Sequence, residues 1–495
     1  MARWVAHADG LANCTLSARI VMKLNRITLA LLAFTVFTAA AREPQTDMGL
    51  RQQSDAAMTW WRDAKFGMFI HWGLYAVPAK GEWYMEQAAI PIDTYRKYAF
   101  DQGDGVYFDA KDYHPEEWAQ LAKDAGMKYM CLTARHHDGF ALFDSHFTNA
   151  FTSVQTLHRD LFGEYVKACR TAGLRVGVYY SPIDWRYPGY YDVTGTNCAK
   201  NTWGCQTAAW HKQNADVMKN EVYEEVRTLF RNYGKIDYLF WDGGWLAQQG
   251  SDRDAAFFWE PGKYRDPHNA WPVAPENSDG DMSGRPLGLM GIVRKYSPNV
   301  ICNSRSGWIG DLDSVEGGAE IKGPVRADPW EKCLNLNQVT WGYHTRQNLM
   351  TETQLTRYLV DAVVRNGNLL LNVGPDRHGT IPETHAALLR KFGAWLRVVG
   401  DSIYGTRGGP WNPVDGQYGF TSKPGKIFIH LLPGYAGTEF TTPPVAQKVT
   451  DCVDVLTTKP VAWKQASDGS VHIMSIDRES HPADTVICLR TAHNN

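Results

Sequence analysis

The sequence predicts an α/β protein in which a (β/α)8-like TIM barrel is followed by a C-terminal antiparallel β-sandwich. Three features of the 495-residue chain support this fold class. Short apolar runs alternate with amphipathic helical segments from about residue 60 to 400, polar clusters follow nearly every run, and Gly/Pro-rich turns dominate afterwards. We therefore expect a barrel domain over residues 42–405 and a sandwich domain over residues 406–495.

The apolar runs have the composition of buried parallel strands, because they are continuous and rich in β-branched or aromatic residues. Helical segments with one apolar face lie between them. The predicted strands are Phe66–His71, Met127–Thr133, Leu174–Tyr180, Ile236–Trp241, Asn299–Asn303 and Asn368–Val373. The predicted helices are Pro115–Ala125, Asp160–Ala172, Glu221–Tyr233 and Leu355–Val364.

Polar clusters at the strand ends favour a barrel over an open sheet. In a barrel, the carboxyl ends of all strands converge on one rim, whereas in a doubly wound sheet they are spread along an edge. The clusters are His71–Gly73, Arg135–Phe140, Tyr179–Ser181 with Asp184 and Trp185, Trp241–Gly244, and Asn303–Arg305. An acidic loop that contains Glu316 and Glu320 follows the last of these clusters.

The C-terminal region has a different pattern. Alternating runs such as Lys426–Leu431, Val471–Met474 and Thr485–Leu489 are separated by turn residues. This pattern is typical of antiparallel strands that bury one face, so a small β-sandwich is expected. None of its motifs indicates catalysis.

The N-terminal region has the features of a secretory signal peptide over Met22–Ala41. A short basic stretch, Met22–Arg26, precedes an apolar run that ends in small residues suited to cleavage. Residues 1–21 are interpreted as an upstream extension from a wrongly chosen start codon. The alternative is an uncleaved anchor, but about 14 apolar residues are few for a membrane span. We expect an exported protein, periplasmic or secreted, without stable membrane association after cleavage.

The overall composition excludes several classes of protein. A hydrophobic fraction of 44% and a charged fraction of 21% are typical of globular domains and exclude disordered or fibrous chains. The net charge is −2, from 51 basic and 53 acidic residues, which argues against nucleic acid as a partner. Aromatic residues make up 12% of the chain and often stand beside His, Asp and Gly. Aromatic faces next to carboxylates suit a sugar ring.

The nine cysteines form no CxxC pair and are too few for a disulfide scaffold. Two pairs could be bridged after export, Cys198 with Cys205 and Cys452 with Cys488. The other cysteines of the mature chain lie in apolar or amphipathic settings and are expected to be buried thiols. They are Cys131, Cys169, Cys302 and Cys333.

Asp242 is the strongest candidate for a catalytic carboxylate. A carboxylate after a strand is often a helix N-cap, but Gly243 and Gly244 follow Asp242 and do not open a helix. Glycines allow a substrate to approach closely.

If Asp242 acts in glycoside hydrolysis, the reaction requires a second carboxylate. Glu316, Glu320 and Glu331 lie in the following segments, and sequence spacing alone does not choose among them.

The His136-His137-Asp138 cluster is open to two interpretations. On an irregular strand end, both imidazoles could reach the rim as donors to sugar hydroxyls or as metal ligands. The metal interpretation is weaker because no HxH or HExxH spacing is present. Two functions compete with a glycosidase that uses a pair of carboxylates. One is a metal-dependent hydrolase that uses His136, His137 and Asp242, and the other is a non-catalytic sugar-binding protein.

Eight motifs lie in order over about residues 60–400. They are Lys65–Gly73, Glu82–Tyr84, His136–Phe140, Tyr179–Ser181, Trp241–Gly243, Trp330–Cys333, Trp341–Tyr343 and Asn368–Pro375. In content and order these motifs resemble the α-L-fucosidases of glycoside hydrolase family 29. The resemblance implies an N-terminal barrel, often with a C-terminal β-sandwich, and hydrolysis of terminal α-L-fucosides with retention, without a metal or cofactor. A barrel glycosidase for another sugar, such as galactose, is the remaining alternative.

The resemblance also implies roles for individual residues. Asp242 corresponds to the nucleophile that forms a covalent fucosyl-enzyme, and Glu316 to the acid/base, with Glu320 and Glu331 as alternatives. The fucose contacts implied are His71, Glu82, Trp83, His136, His137, Tyr180 and Arg305. The expected substrate is a fucosylated oligosaccharide or glycoconjugate, attacked in an exo manner. The sequence leaves open whether the chain is a monomer or a homo-oligomer.

The chain departs from the family pattern at two places. Ser314-Val315 replaces the Thr-Pro that commonly precedes the acid/base. The order Phe240-Trp241-Asp242 replaces the Trp-Phe-Asp of many relatives. The resemblance therefore leaves open which of the two aromatic rings faces the sugar, and the role implied for Asp242 is unaffected.

Overall fold

The computed structural model describes residues 52–147, 150–187, 207–243, 289–305 and 310–492. The predicted signal peptide Met22–Ala41 and the Cys198–Cys205 pair lie outside these ranges. Across the described residues, no helix has both the length and the apolar character needed to cross a membrane.

Eight parallel strands form the first part of the fold, in the order β7-β6-β5-β2-β1-β10-β9-β8. They are β1 (Phe66–Ile70), β2 (Tyr129–Arg135), β5 (Arg175–Tyr180), β6 (Tyr238–Trp241), β7 (Ile301–Cys302), β8 (Asp313–Glu316), β9 (Trp330–Asn335) and β10 (Gly367–Val373). Two short strands, β3 (Phe140–Ala141) and β4 (Phe151–Thr152), pair beside the end of β2. The six barrel strands predicted from the sequence are confirmed to within about two residues, whereas β8 and β9 were not predicted.

The sheet closes between its two end strands. Asn303, directly after β7, forms a parallel bridge with Leu312, directly before β8. The Asp311 backbone N–H donates to the Cys302 carbonyl at 2.7 Å. This contact brings the two end strands of the curled sheet together, so the carboxyl ends of the eight strands surround one rim.

Helices surround most of the barrel. They are α1 (Asp55–Ala64), α2 (Tyr84–Gln87), α3 (Ile92–Tyr95), α4 (Pro115–Asp124), α5 (Ser153–Leu157), α6 (Leu161–Ala172), α7 (Ala208–Asn232), α8 (Leu289–Tyr296), α9 (Glu352–Val363) and α10 (Glu383–Val399). The connections β7–β8 and β8–β9 contain no helix among their described residues. The barrel is therefore (β/α)8-like rather than a complete (β/α)8 repeat.

Helix α1 covers one end of the barrel interior. Ser54 caps it, because the Ser54 side chain accepts from the Ala57 backbone N–H at 3.3 Å. Its buried residues Met58 and Trp61 belong to the same apolar cluster as Phe69 of β1 and Phe240 of β6. These inward-facing side chains fill the barrel below the rim.

Two antiparallel sheets follow the barrel, which confirms the predicted fold class. One sheet has the order β11-β12-β13-β18-β15 and the other β14-β17-β16. The strands are β11 (Arg407–Gly408), β12 (Tyr418–Lys423), β13 (Lys426–Leu431), β14 (Phe440–Thr441), β15 (Val449–Asp454), β16 (Ala462–Gln465), β17 (Val471–Met474) and β18 (Thr485–Thr491). Phe420, Ile429 and Leu489 of the first sheet share an apolar cluster with Phe440 and Ile473 of the second.

The predicted bridge between Cys452 and Cys488 does not form. Cys452 on β15 lies opposite Leu489 on β18, and Cys488 lies opposite Val453. Directly opposed residues point to the same face of a sheet, so the two thiols point to opposite faces. Both are free and buried. The expectation of buried thiols is confirmed for Cys131, Cys169, Cys302 and Cys333.

Candidate active site

Asp242 lies at the rim, directly after β6, and its carboxylate is surrounded by donors. The Tyr179 hydroxyl donates to Oδ2 at 2.9 Å, and the Gly243 backbone N–H donates to Oδ1 at 2.8 Å. Arg305 Nη2 lies 3.1 Å from Oδ1, and His137 Nε2 lies 3.7 Å from Oδ2. The side chain retains 18% of its exposure, so a ligand in the rim can reach it.

The surroundings of Asp242 favour its ionised form. Burial alone would raise the pKa of this carboxyl group, but the positive charge of Arg305 and the groups of His137 and Tyr179 outweigh it. The pKa of Asp242 therefore lies below its usual value. An ionised, partly accessible carboxylate at the end of a barrel strand suits a nucleophile.

Gly243, directly after Asp242, adopts a left-handed conformation. Its φ is +75°. A Cβ at this position would lie 2.7 Å from Ile183 Cδ1 and 3.0 Å from His137 Cε1. Glycine is required here for both its conformation and its lack of a side chain.

Arg305 joins Asp242 to Glu316. Its Nη1 donates to Glu316 Oε2 at 2.9 Å while its Nη2 contacts Asp242 at 3.1 Å. Glu316 is the last residue of β8, and its side chain is 42% exposed. The guanidinium also lies over the Phe240 ring, with Cζ 5.5 Å from the centroid. The structure thus brings two carboxylates to one arginine at the rim, one partly buried and the other accessible to solvent.

The two alternative acids lie elsewhere. Glu320 is 51% exposed and forms ion pairs with Lys322 at 2.9 Å and with Arg357 of α9 at 3.1 Å. Glu331 is fully buried within the barrel, where it accepts hydrogen bonds from the hydroxyls of Tyr129 and Tyr238. These positions favour Glu316 as the partner of Asp242.

Three buried histidines cluster beside Asp242 at the rim. The His71 and His136 ring centroids are 5.7 Å apart, and those of His136 and His137 are 4.2 Å apart. Burial lowers the pKa of His71 to about 3 and that of His137 to about 4, and it lowers the pKa of His136 well below the usual value. All three imidazoles are therefore neutral at physiological pH and can act as hydrogen-bond donors and acceptors.

Polar side chains orient two of these rings. His71 Nδ1 lies 2.8 Å from Asn372 Oδ1, and His137 Nδ1 lies 2.6 Å from Ser181 Oγ. Asn372 Nδ2 in turn donates to Asn335 Oδ1 at 2.9 Å. Sequence reasoning missed Asn372, although an asparagine inside the apolar run Asn368–Val373 is a signal that could have found it.

The alternative of a metal site involves His136, His137 and Asp242. Their potential ligand atoms lie within 4.8 Å of one another. However, the Asp242 carboxylate already contacts the Arg305 guanidinium at 3.1 Å. A fixed positive charge on the same carboxylate repels a divalent cation. The donor set therefore fits hydroxyl recognition better than metal coordination.

Glu82, Trp83 and Trp341 lie next to the histidines or to the loop beside them. Glu82 is buried, and its Oε2 accepts from the Gly342 backbone N–H at 2.8 Å. Burial raises the pKa of Glu82 above its usual value. The half-buried Trp83 ring lies 5.3 Å from the ring of His137. The half-buried Trp341 ring lies 5.1 Å from that of His71. Trp341 was not among the predicted contacts, although its motif Trp341–Tyr343 had been identified.

Tyr180 requires a correction. It was predicted as a sugar contact, but it is fully buried on the outer face of β5. Its hydroxyl donates to Glu225 of α7 at 2.6 Å and accepts from Arg135 at 3.2 Å. Successive residues of a strand point to opposite faces, so its neighbour Tyr179 faces the interior and reaches Asp242 instead.

Comparison with known proteins identifies the family of this chain. The α-L-fucosidase family model matches residues 33–401. Tissue α-L-fucosidase from Homo sapiens is 30% identical over 375 residues, which cover 71% of this chain and 70% of that protein. α-L-Fucosidase isoenzyme 1 from Paenibacillus thiaminolyticus is 30% identical, with a TM-score of 0.70 over 88% of this chain and 99% of that one. The Thermotoga maritima α-fucosidase in complex with fucose is 27% identical, with a TM-score of 0.64 over 87% and 96% of the two chains.

Proposed function

Since this chain belongs to the α-L-fucosidase family of glycoside hydrolases, we propose that it is an exo-acting, retaining enzyme that removes terminal α-L-fucosyl residues from glycans. The observation that carries this proposal is the ionised Asp242 carboxylate, which Arg305 joins to the exposed Glu316. A retaining glycosidase requires such a pair, one group as nucleophile and the other as acid and then base.

In the first step, Asp242 attacks the anomeric carbon of fucose. The bond to the leaving-group oxygen breaks, and protonated Glu316 donates its proton to that oxygen. In the second step, ionised Glu316 removes a proton from water, and the resulting hydroxide attacks the same carbon. The ester bond to Asp242 breaks, fucose leaves, and both carboxyl groups return to their starting states.

The pocket walls suit a deoxy sugar. Neutral imidazoles of His71, His136 and His137 can donate to or accept from ring hydroxyls. The rings of Trp83 and Trp341 offer apolar faces, which match the apolar side and the methyl group of fucose. The fucose bound to the Thermotoga relative supports this choice of sugar. The intact carboxylate pair argues against a protein that only binds sugar.

Release of nitrophenol tests the reaction. We expect the mature chain from Arg42 to release nitrophenol from para-nitrophenyl α-L-fucoside with EDTA present, because no step requires a metal.

Replacement of Asp242 tests the nucleophile. Asp242→Ala should keep its fold and lose activity by about 10³-fold or more, since the covalent intermediate cannot form. Asp313→Ala is the control, because Asp313 is an exposed carboxylate that pairs with Arg326. Full activity of Asp242→Ala, or loss of wild-type activity in EDTA, would contradict the proposal.

Azide rescue tests the acid/base. Glu316→Ala should hydrolyse a fucoside with an easily departing aryl group, and added azide should accelerate turnover by attacking the fucosyl-enzyme in place of activated water. Glu320→Ala should retain activity within about twofold without azide, because Glu320 lies on the surface. Rescue at Glu320 instead of Glu316 would reassign the role.

A further inference from the structure

Asn303 replaces part of the backbone ladder between β6 and β7. The two strands share two registered pairs, which end at Leu239 and Cys302. Beyond this point the fully buried Asn303 side chain binds both backbone groups of Trp241. Its Oδ1 accepts from the Trp241 N–H at 2.9 Å, and its Nδ2 donates to the Trp241 carbonyl at 3.0 Å. A carboxamide offers one donor and one acceptor in the spacing that a peptide group requires.

Asn303 also lies close in the chain or in the sheet to Asp242, Glu316 and Arg305. Trp241 directly precedes Asp242, whose own N–H donates to the Tyr180 carbonyl at 3.2 Å. The Asn303 backbone bridges to Leu312, which leads into β8 and Glu316. Arg305, two residues further along the chain, contacts both carboxylates. The nucleophile, the acid/base and the arginine between them are thus all anchored close to one buried amide.

We propose that Asn303 is a positioning residue of the fucosidase reaction, an inference that rests on the proposed function. Its amide holds the Trp241–Asp242 backbone in a fixed position relative to Arg305 and Glu316. The side chain itself does not contact the substrate. A nucleophile displaced by about 1 Å from its attack position loses about 10²-fold in rate, because proximity and orientation supply much of the acceleration.

Asn303→Ala removes both hydrogen bonds and gives the first test. We expect kcat for para-nitrophenyl α-L-fucoside to fall by about 10²-fold, whereas KM changes by less than about threefold because the sugar contacts remain. Asn368→Ala is the matched control. Asn368 is also a buried strand asparagine, and its Nδ2 donates to the Trp61 carbonyl at 2.7 Å at the opposite end of the barrel. It should lower the thermal midpoint to a similar extent and leave kcat unchanged.

Asn303→Asp provides a rescue that depends on pH. A protonated carboxyl group has the same donor and acceptor as the amide, whereas a carboxylate loses the donor and repels the Trp241 carbonyl. The ratio of its kcat to that of the wild type should be highest at acid pH and fall as pH rises. The charged groups nearby are Asp242, Arg305, Asp311 and Arg294. They are present in both proteins, so their own titration cancels in the ratio to first order. The corresponding ratio for Asn303→Ala should not depend on pH.

The outcomes separate this inference from the proposed function. If Asn303→Ala has wild-type kcat and only lower stability, as expected for Asn368→Ala, the residue is merely structural and the inference is wrong. If Asn303→Ala does not fold, a kcat ratio of Asn303→Asp that is independent of pH overturns the inference. If the wild-type chain does not hydrolyse any α-L-fucoside, the proposed function fails and the positioning role fails with it.

Discussion

Tyr179 and Tyr180 are neighbours in sequence whose hydroxyl groups donate to carboxylates on opposite sides of β5. Tyr179 donates to Asp242 in the pocket at 2.9 Å, and Tyr180 donates to Glu225 behind the barrel wall at 2.6 Å. The first hydrogen bond favours the ionised form of Asp242, whereas the second belongs to a buried ionic cluster that also contains Arg135. The two residues therefore form a matched pair for mutagenesis.

Tyr179→Phe should move the acid limb of the pH profile. In the proposed mechanism, activity requires ionised Asp242 and is lost as pH falls through the pKa of that group. Because the Tyr179 hydroxyl lowers this pKa, its removal raises the pKa and shifts the acid limb of kcat/KM upwards by about one pH unit. Tyr180→Phe should lower stability by about 1–3 kcal/mol and leave the limb in place. An unchanged acid limb in Tyr179→Phe would show that this hydroxyl does not tune Asp242.

The same pair shows where sequence reasoning reached its limit for single residues. Asp242 and Arg305 lie just beyond predicted strands, and polar residues at strand ends are visible in a sequence, whereas Glu316 was singled out only by the family resemblance. Tyr179 and Tyr180 lie within a strand that is buried on both faces, so neither hydrophobicity nor alternation reveals which side faces the pocket. Trp341 lies in a loop whose position depends on contacts with β1 and β10, and those contacts are not local in sequence.

Among the strands, β9 places a carboxyl group inside the barrel. Glu331 is fully buried between Tyr129 of β2 and Tyr238 of β6, and both hydroxyls donate to it. Burial raises the pKa of Glu331 to about 7, although the tyrosine hydrogen bonds oppose this shift. The group is thus protonated in the folded chain over a pH range in which it ionises in the unfolded chain.

This shift predicts how stability depends on pH. The folded state holds the Glu331 proton up to about pH 7, and the unfolded state releases it near its ordinary pKa of 4.5. The free energy of unfolding therefore falls between these two pH values, by up to about 3 kcal/mol from this group. Glu331→Gln cannot titrate, so its free energy of unfolding relative to the wild type should rise from pH 5 to pH 7.5. Urea unfolding at both pH values measures this difference, and an equal difference at the two values would exclude the shift.

The strands that sequence reasoning missed are those without an apolar run. Strand β8 has the sequence Asp313-Ser-Val-Glu316, and both of its ends are exposed because no helix covers it among the described residues. Strand β9 carries Glu331 and Lys332 in its first half, so its composition does not resemble that of a buried strand. Glu331 is buried together with tyrosines from two strands that are distant in sequence. The spacing of residues along the chain does not predict such contacts.

In the whole molecule, the barrel and the C-terminal sheets share a buried interface. Val360 and Val364 at the end of α9 form an apolar cluster with Leu432. The buried Arg365 guanidinium joins Asp361 and Asp415, each at 2.7 Å. The described residues of the barrel and the sheets accordingly belong to one compact unit. We propose that residues 405 and 406 mark the boundary between the barrel and sandwich folds, but not between two regions that fold independently.

Truncation at this boundary tests whether the barrel folds without the C-terminal sheets. Residues 42–405 alone would expose Val360 and Val364 and leave the buried Arg365 with one of its two carboxylates. We expect the truncated chain to aggregate or to melt at least about 10 °C below the full mature chain, which should unfold in a single transition. Asp451→Ala is the control, since it removes an exposed ion pair with Arg490 within the sheets and should shift the midpoint by no more than about 2 °C. Calorimetry and fucosidase activity distinguish the cases: a truncated chain with the midpoint and kcat of the full chain would mean that the barrel folds without the sheets.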